Sequence, residues 1–196
     1  DEFVAVVTEG QPVAPLYFPF AAVLNRKDRE LLHDEERVPA LTIDEVLAHQ
    51  HAGAVVIDAR DDAAFATAHL RGSVNVGLGG RFAEYAGEVM RPETPIVLAT
   101  PPGHEMEAKI RLARIGFDNV VGALDDPTAA FVTRPELVEP ASRLSVETLR
   151  DRMSTVAELV LLDVRNPGEV ALGTLPGAVQ ISLPALLNRL GELDPT

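Results

Sequence analysis

Ala54-Val55-Val56-Ile57-Asp58-Ala59-Arg60 returns later in the same chain as Leu159-Val160-Leu161-Leu162-Asp163-Val164-Arg165. Asp58 and Asp163 stand 105 residues apart, and the same offset relates Arg60 to Arg165, Leu70 to Leu175, Gly72 to Gly177 and Val76 to Ile181. Upstream, Leu41-Thr42-Ile43-Asp44-Glu45-Val46-Leu47 matches Leu144-Ser145-Val146-Glu147-Thr148-Leu149-Arg150 at an offset of 103, as a small loop insertion in the second copy would produce. Agreement at so many positions marks a duplicated unit.

Both copies read alike. Thr42 and Ser145 are placed to cap a helix, and Glu45 completes a capping box in the first copy. An amphipathic stretch follows, then the apolar run ending in Asp-x-Arg. Runs that are apolar on both faces suit buried parallel strands, and their alternation with helices implies an α/β architecture. Residues 73–76 predict a short strand and residues 95–99 another buried one. A helix over about residues 105–115 comes next, with Met106, Ile110 and Ala113 on one face and Gly116 closing it. Residues 119–122 read as a last strand. After its Asp-x-Arg the second copy offers a short strand and a helix near residues 185–190, and a half-wound sheet of that size cannot cover both faces of its strands.

The 196 residues carry 17 basic and 30 acidic side chains, a net charge of −13. That balance repels phosphate backbones and anionic headgroups, which argues against nucleic-acid or membrane-surface partners. No apolar run approaches the roughly 18–20 residues of a membrane span, and no signal peptide is legible, so a cytoplasmic location is expected. The chain contains no cysteine, which excludes disulfides, thiolate zinc sites and a cysteine nucleophile among these residues.

The copies resemble the rhodanese-like sulfurtransferase family. The residues that carry the resemblance are Val56-Ile57-Asp58-Ala59-Arg60, Phe65 and His69-Leu70-Arg71-Gly72-Ser73-Val74-Asn75-Val76 in the first copy. In the second they are Leu161 to Glu169 and Gly173-Thr174-Leu175-Pro176-Gly177-Ala178-Val179-Gln180-Ile181. The first copy keeps His69 and has Ala68 where the family has glycine; the second keeps Gly173 and has Thr174 in place of the histidine. The resemblance implies two doubly wound, mainly parallel sheets, the second only half present. A weaker resemblance, carried by Gly10-Gln11-Pro12, Pro15-Leu16-Tyr17-Phe18 and Leu24-Asn25-Arg26, is to the closing segment of metallo-β-lactamase-fold hydrolases fused to rhodanese domains, persulfide dioxygenases among them.

In that family a cysteine thiolate between a strand and a helix takes up sulfane sulfur, held by backbone N–H groups and a helix N-terminus. The matching loop here is Ala99-Thr100-Pro101-Pro102-Gly103-His104-Glu105, with Ala99 at the family's cysteine position. It has no thiol, its two prolines remove backbone donors, and Glu105 and Glu107 put negative charge where an anion would sit. His104 reads as a solvated loop histidine, and His49 and His51 as a helix-terminal pair rather than metal ligands. Asp58, Arg60, Asp163 and Arg165 read as structural, because the pair recurs in both copies without a cysteine; His69, Gly72 and Gly177 belong to the same family signature, His69 as a packed, hydrogen-bonded residue. Gly77-Leu78-Gly79-Gly80 lacks the third glycine of a dinucleotide loop.

The expected organisation is a tail of an upstream domain with a linker over 1–37, a rhodanese-like domain without its cysteine over 38–126, a connection over 127–142, and the first half of a second domain over 143–196. The expected role is that of a non-catalytic rhodanese-like module in a bacterial metallo-β-lactamase–rhodanese fusion of sulfur metabolism. Any transferring cysteine would then lie beyond Thr196. The alternative is a purely non-enzymatic docking module. No cofactor is expected within these residues; the resemblance implies iron or zinc in an upstream hydrolase domain, which would be the module's partner, and homo-oligomerisation stays open.

Overall fold

Strand β2 (Val55–Asp58) is buried at every position but its first, and such a strand needs neighbours on both edges and cover on both faces. It lies between β4 (Val74–Asn75) and β5 (Ile96–Ala99), parallel to both, with Val55 opposite Ile96 and Asp58 opposite Ala99. With β1 (Ala40–Leu41) and β6 (Val120–Leu124) these make a five-stranded sheet in the order β1-β6-β5-β2-β4, every pair parallel. This is the α/β architecture expected for the first copy. The computed structural model describes residues 14–15, 17–20 and 37–193. The chain divides into two units: one is Tyr17–Arg143, and the other takes in Leu144 onward.

Alternation along the strands splits the core of the first unit into two layers. Val56 and Val97 point to one face, where they meet Val46 of α1 (Ile43–His51) and Phe131 of α5 (Pro127–Thr133). Ile57 and Leu98 point to the other, against Phe82 and Ala86 of α3 (Phe82–Val89) and Ala108 and Leu112 of α4 (Glu105–Ala113). The short α2 (Asp62–Thr67) and β3 (His69–Leu70) bridge β2 to β4.

The capping box forms as the sequence predicts. Thr42 Oγ1 accepts from the Glu45 amide at 3.3 Å, and the Thr42 amide donates to Glu45 Oε2 at 2.8 Å. Thr42→Ala removes the Oγ1 contacts and keeps the backbone N–H that donates to Glu45, and a loss of about 1 kcal/mol is expected in urea unfolding.

Two elements differ from their sequence reading. The face of α4 buried completely is Ala108 with Leu112, while Met106, Ile110 and Ala113 are half-buried. Alanine carries little hydropathic signal, yet it lets the helix approach the sheet closely. Residues 127–142, read from their prolines as a connection, hold α5 and the strand β7 (Val138–Glu139), which pairs antiparallel with β3. Pro127 opens the helix rather than breaking it, because the first turn has no hydrogen bond for it to remove and Asp126 Oδ1 caps the Ala129 amide at 3.1 Å. Phe131 then inserts into the core. Most of residues 1–37 lie outside the described residues, but Tyr17 is 7% exposed and belongs to the core of the first unit.

In the second unit, α6 (Val146–Thr155) leads to β8 (Leu162–Asp163), α7 (Pro167–Val170), β9 (Val179–Gln180) and α8 (Leu183–Arg189). Ser145 Oγ caps the Thr148 amide at 3.2 Å, and β8 runs parallel to β9. Gly72 and Gly177 both adopt left-handed backbone, at φ +73° and +80°, in the turn that each copy makes before its short strand. Leu70 is 1% exposed while Leu175, its counterpart, is 48% exposed.

Candidate functional site

From β2 the chain crosses to β4 on one side, and later to β5 on the other. The C-terminal ends of β2 and β5 therefore border a topological switch point, where α/β sheets present a crevice. The two stretches singled out from the sequence meet there: the Ala59 amide donates to the Ala99 carbonyl at 2.7 Å.

At the end of β2, Asp58 and Arg60 form a closed fork. Arg60 Nε donates to Asp58 Oδ1 at 2.9 Å and Nη2 to Oδ2 at 2.6 Å, and Nη2 also reaches the Ala68 carbonyl at 2.8 Å. The Asp58 side chain is fully buried, and the Arg60 guanidinium lies 4.9 Å from the centre of the Phe131 ring. All these partners are internal, so the arginine is committed to the fold and not offered to a ligand.

At the end of β5, Ala99 and Thr100 are buried, while Pro102, Gly103 and His104 are exposed. Glu105, the first residue of α4, turns back into its own loop, where Oε1 accepts from the Gly103 amide at 3.1 Å and from the Thr100 hydroxyl at 3.3 Å. Two donors of the loop, the Gly103 amide and the Thr100 hydroxyl, are thus taken by the protein's own carboxylate. The sequence reading saw negative charge at this helix start but not this return contact, which depends on the loop's curl. His104 is the exposed N-cap residue and its Nδ1 lies 2.9 Å from Glu107 Oε2, a hydrogen bond that lowers the Glu107 carboxyl. The base beside Thr100 is the Glu105 carboxylate, a weak one for a hydroxyl, and its Oε1 is already shared with the Gly103 amide.

A cavity of about 330 Å³ opens beside the loop, with Arg37, Glu105, Met106, Leu124 and Asp125 in its wall. Two carboxylates against one guanidinium make a poor receptor for thiosulfate or another sulfur anion. His69 is elsewhere: its ring stacks on Phe65 at 3.7 Å, with Nδ1 2.9 Å from the Phe65 carbonyl, and it faces Glu139 of β7. His49 and His51 sit in the last turn of α1, and among the described residues no three His, Asp or Glu groups are placed to hold a metal. Among these residues no helix is long and apolar enough to cross a membrane.

Residues 42–132 match the family described as the rhodanese-like domain. This segment has a rhodanese-like fold. Structural likeness extends to a metallo-β-lactamase from Staphylococcus aureus subsp. aureus COL, at 20% identity over 63% of this chain and 34% of that one, with a TM-score of 0.53. A thiosulfate sulfurtransferase from Pseudomonas aeruginosa is similar at 21% identity over 90% of this chain and 39% of that one, TM-score 0.45. A rhodanese-like domain from an Anabaena sp. protein is similar at 14% identity over 56% of this chain and 92% of that one, TM-score 0.44. At such identities the likeness is one of fold. No curated protein matches the chain in sequence.

The second unit repeats the fork of the rhodanese-like domain. Arg165 Nε donates to Asp163 Oδ1 at 2.9 Å, Nη2 to Oδ2 at 2.6 Å, and Nη2 to the Gly173 carbonyl at 2.9 Å. Thr174, standing where the first copy has His69, donates to Asp163 Oδ2 at 2.8 Å. The solvation differs: the Arg165 side chain is 44% exposed against 10% for Arg60, and the fork borders an open groove of about 660 Å³ with Leu149, Leu161 and Leu175. Hydrogen bonds from Arg165, then from Thr174, hold the Asp163 carboxyl far below the usual carboxylate range. A carboxyl depressed by folding stabilises the fold above its unfolded value and loses that contribution as pH falls through the folded one. In a carboxyl-carbon NMR titration Asp163 is expected to titrate below the exposed aspartates, and Asp163→Asn to remove the matching acid-side loss of stability.

Proposed function

We propose that the rhodanese-like domain is a non-catalytic module of a bacterial metallo-β-lactamase–rhodanese fusion that works in sulfur metabolism. The carrying observation is the loop after β5: Ala99 stands where a thiolate would act, and Glu105 occupies the amide and hydroxyl donors beside it. Sulfur transfer needs a nucleophile to cleave the S–S bond of thiosulfate, releasing sulfite, and then to hand the outer sulfur to an acceptor such as cyanide as thiocyanate. Neither Thr100 nor His104 is arranged to do this.

The fusion reading is supported by the likeness to a metallo-β-lactamase and by the motif Gly10-Gln11-Pro12 with Pro15-Leu16-Tyr17-Phe18. On this reading residues 1–37 derive from the end of the hydrolase domain and what joins it to the next, and iron or zinc would belong to that domain. Residues 143–196 form the first half of a second rhodanese-like copy. Its exposed Leu172, Leu175, Val160 and Val179 support this, since they are surfaces that a completed sheet and its helices would cover. A transferring cysteine would follow Thr196 within about 15 residues, the length of one strand and turn.

The test is thiocyanate formation from thiosulfate and cyanide. The 196-residue chain is expected to form none, and its thermal midpoint to ignore millimolar thiosulfate. The full-length protein is expected to be active only while the second-copy cysteine is intact. Turnover by the 196-residue chain would overturn the non-catalytic assignment. The same exposed apolar surface also favours a second reading, in which neither copy transfers sulfur and the module only docks a partner; an inactive full-length protein that retains a cysteine in the second copy would select it.

A further inference from the structure

Tyr17 lies 25 positions ahead of the segment that matches the rhodanese-like family, yet its ring is in the core with Phe82, Ala86 and Met90. What admits it is Gly87 in helix α3. A β-carbon at Gly87 would lie 3.0 Å from Tyr17 Cγ and Cε1 and 2.3 Å from Cδ1, the last a distance real β-carbons essentially never show. Glycine is the poorest helix former after proline, so its presence inside an eight-residue helix calls for a reason, and the ring lying on it supplies one. Phe18 meets Tyr17 edge-on, with centroids 5.1 Å apart at 79°. The charges that act on the phenol are those of α3 and its start, Glu84, Glu88 and Arg81, and burial with the two carboxylates pushes its pKa up.

We propose that Tyr17 and the notch over Gly87 form a latch, an aromatic key that fastens the polypeptide preceding the rhodanese-like domain to helix α3. The physical unit then begins at Tyr17, ahead of the first residue of the family match. The latch stands on the geometry of α3 and is independent of the fusion reading.

The discriminating experiment reads the sign of one substitution in two backgrounds of the whole chain. Gly87→Ala adds a β-carbon where the key sits, so with Tyr17 present the thermal midpoint falls. With Tyr17→Ala the notch is empty, and the same substitution raises the midpoint by about 2–4 °C through helix propensity alone. In a Tyr85→Phe chain Tyr17 is the sole tyrosine, and Gly87→Ala should raise iodide quenching of its fluorescence several-fold. A midpoint that moves the same way in both backgrounds, or a Tyr17 quenched as freely as N-acetyltyrosinamide before any substitution, overturns the latch. The double variant keeps the comparison readable if Gly87→Ala alone does not fold.

Discussion

Asp58→Ala is expected to lower the stability of the rhodanese-like domain by about 3–5 kcal/mol, the cost of leaving one member of a buried ion pair without its partner. The Arg60 guanidinium would keep the Ala68 carbonyl and the face of Phe131, but lose both carboxylate oxygens while remaining 10% exposed. Against the 5–15 kcal/mol typical of whole domains, that is a large fraction. Urea unfolding followed by tyrosine fluorescence measures it cleanly, because Tyr17 and Tyr85 both lie in the first unit and the chain has no tryptophan. Two controls make the argument specific. Replacing both partners, Asp58→Leu with Arg60→Met, should recover much of the loss, since an apolar pair of similar volume needs no charge compensation. Asp163→Ala, at the identical fork with an open arginine, should cost far less when the second unit is followed by hydrogen exchange of β8. Equal losses at the two forks would mean that burial of Arg60 has no bearing on the pair.

Phe82→Ala should cost a similar amount, about 3–5 kcal/mol, for a different reason. Phe82 is fully buried at the start of α3, in the layer that holds Ile57, Leu98 and Leu112. The Arg111 side chain closes over it, its guanidinium 5.4 Å from the ring centre and bonded to the Leu78 and Gly80 carbonyls, with 2.6 Å to Gly80. These contacts hold the turn before α3 and oppose collapse into the space that truncation leaves, so the cavity contribution adds to the lost transfer energy. The midpoint should fall with the urea slope unchanged. Phe82→Leu, which fills most of that volume, should lose under about 1.5 kcal/mol. A loss below 1 kcal/mol for Phe82→Ala would show that the layer closes over the gap and that Arg111 does not prop it open.

Some features were legible because they are local. The Thr42–Glu45 box, the helix start at Ser145 and the apolar run of β2 each depend on residues a few positions apart. The helix after β5 begins at Glu105 as read, and the missing thiol needs no structure at all. Other features were hidden for stated reasons. Ala108 is the centre of a packed face but scores as a small residue. Pro127 looks like a breaker until Asp126 is seen capping the turn it opens. Tyr17 sits among tail residues in sequence, and only Gly87, seventy positions later, explains where its ring goes. Glu105 was counted as a charge at a helix terminus, whereas the curl of Pro101-Pro102-Gly103 brings its carboxylate back onto Thr100.

The two Asp-x-Arg forks separate what each level decides. A carboxylate and a guanidinium two residues apart at the end of a strand close into the same hydrogen-bonded ring in both units, with the same 2.9 and 2.6 Å contacts. That geometry is set by spacing and backbone, so the sequence by itself determines it. Whether the ring lies in the dark or in water is decided by chain far away in sequence: Phe131, which covers Arg60, and β5 beside β2 have no counterpart among the described residues of the second unit. Local hydrogen bonds follow from neighbours along the chain, but solvation follows from whatever the fold lays on top. For that reason the same Asp–Arg pair is a buried strut in one copy and the rim of an open groove in the other.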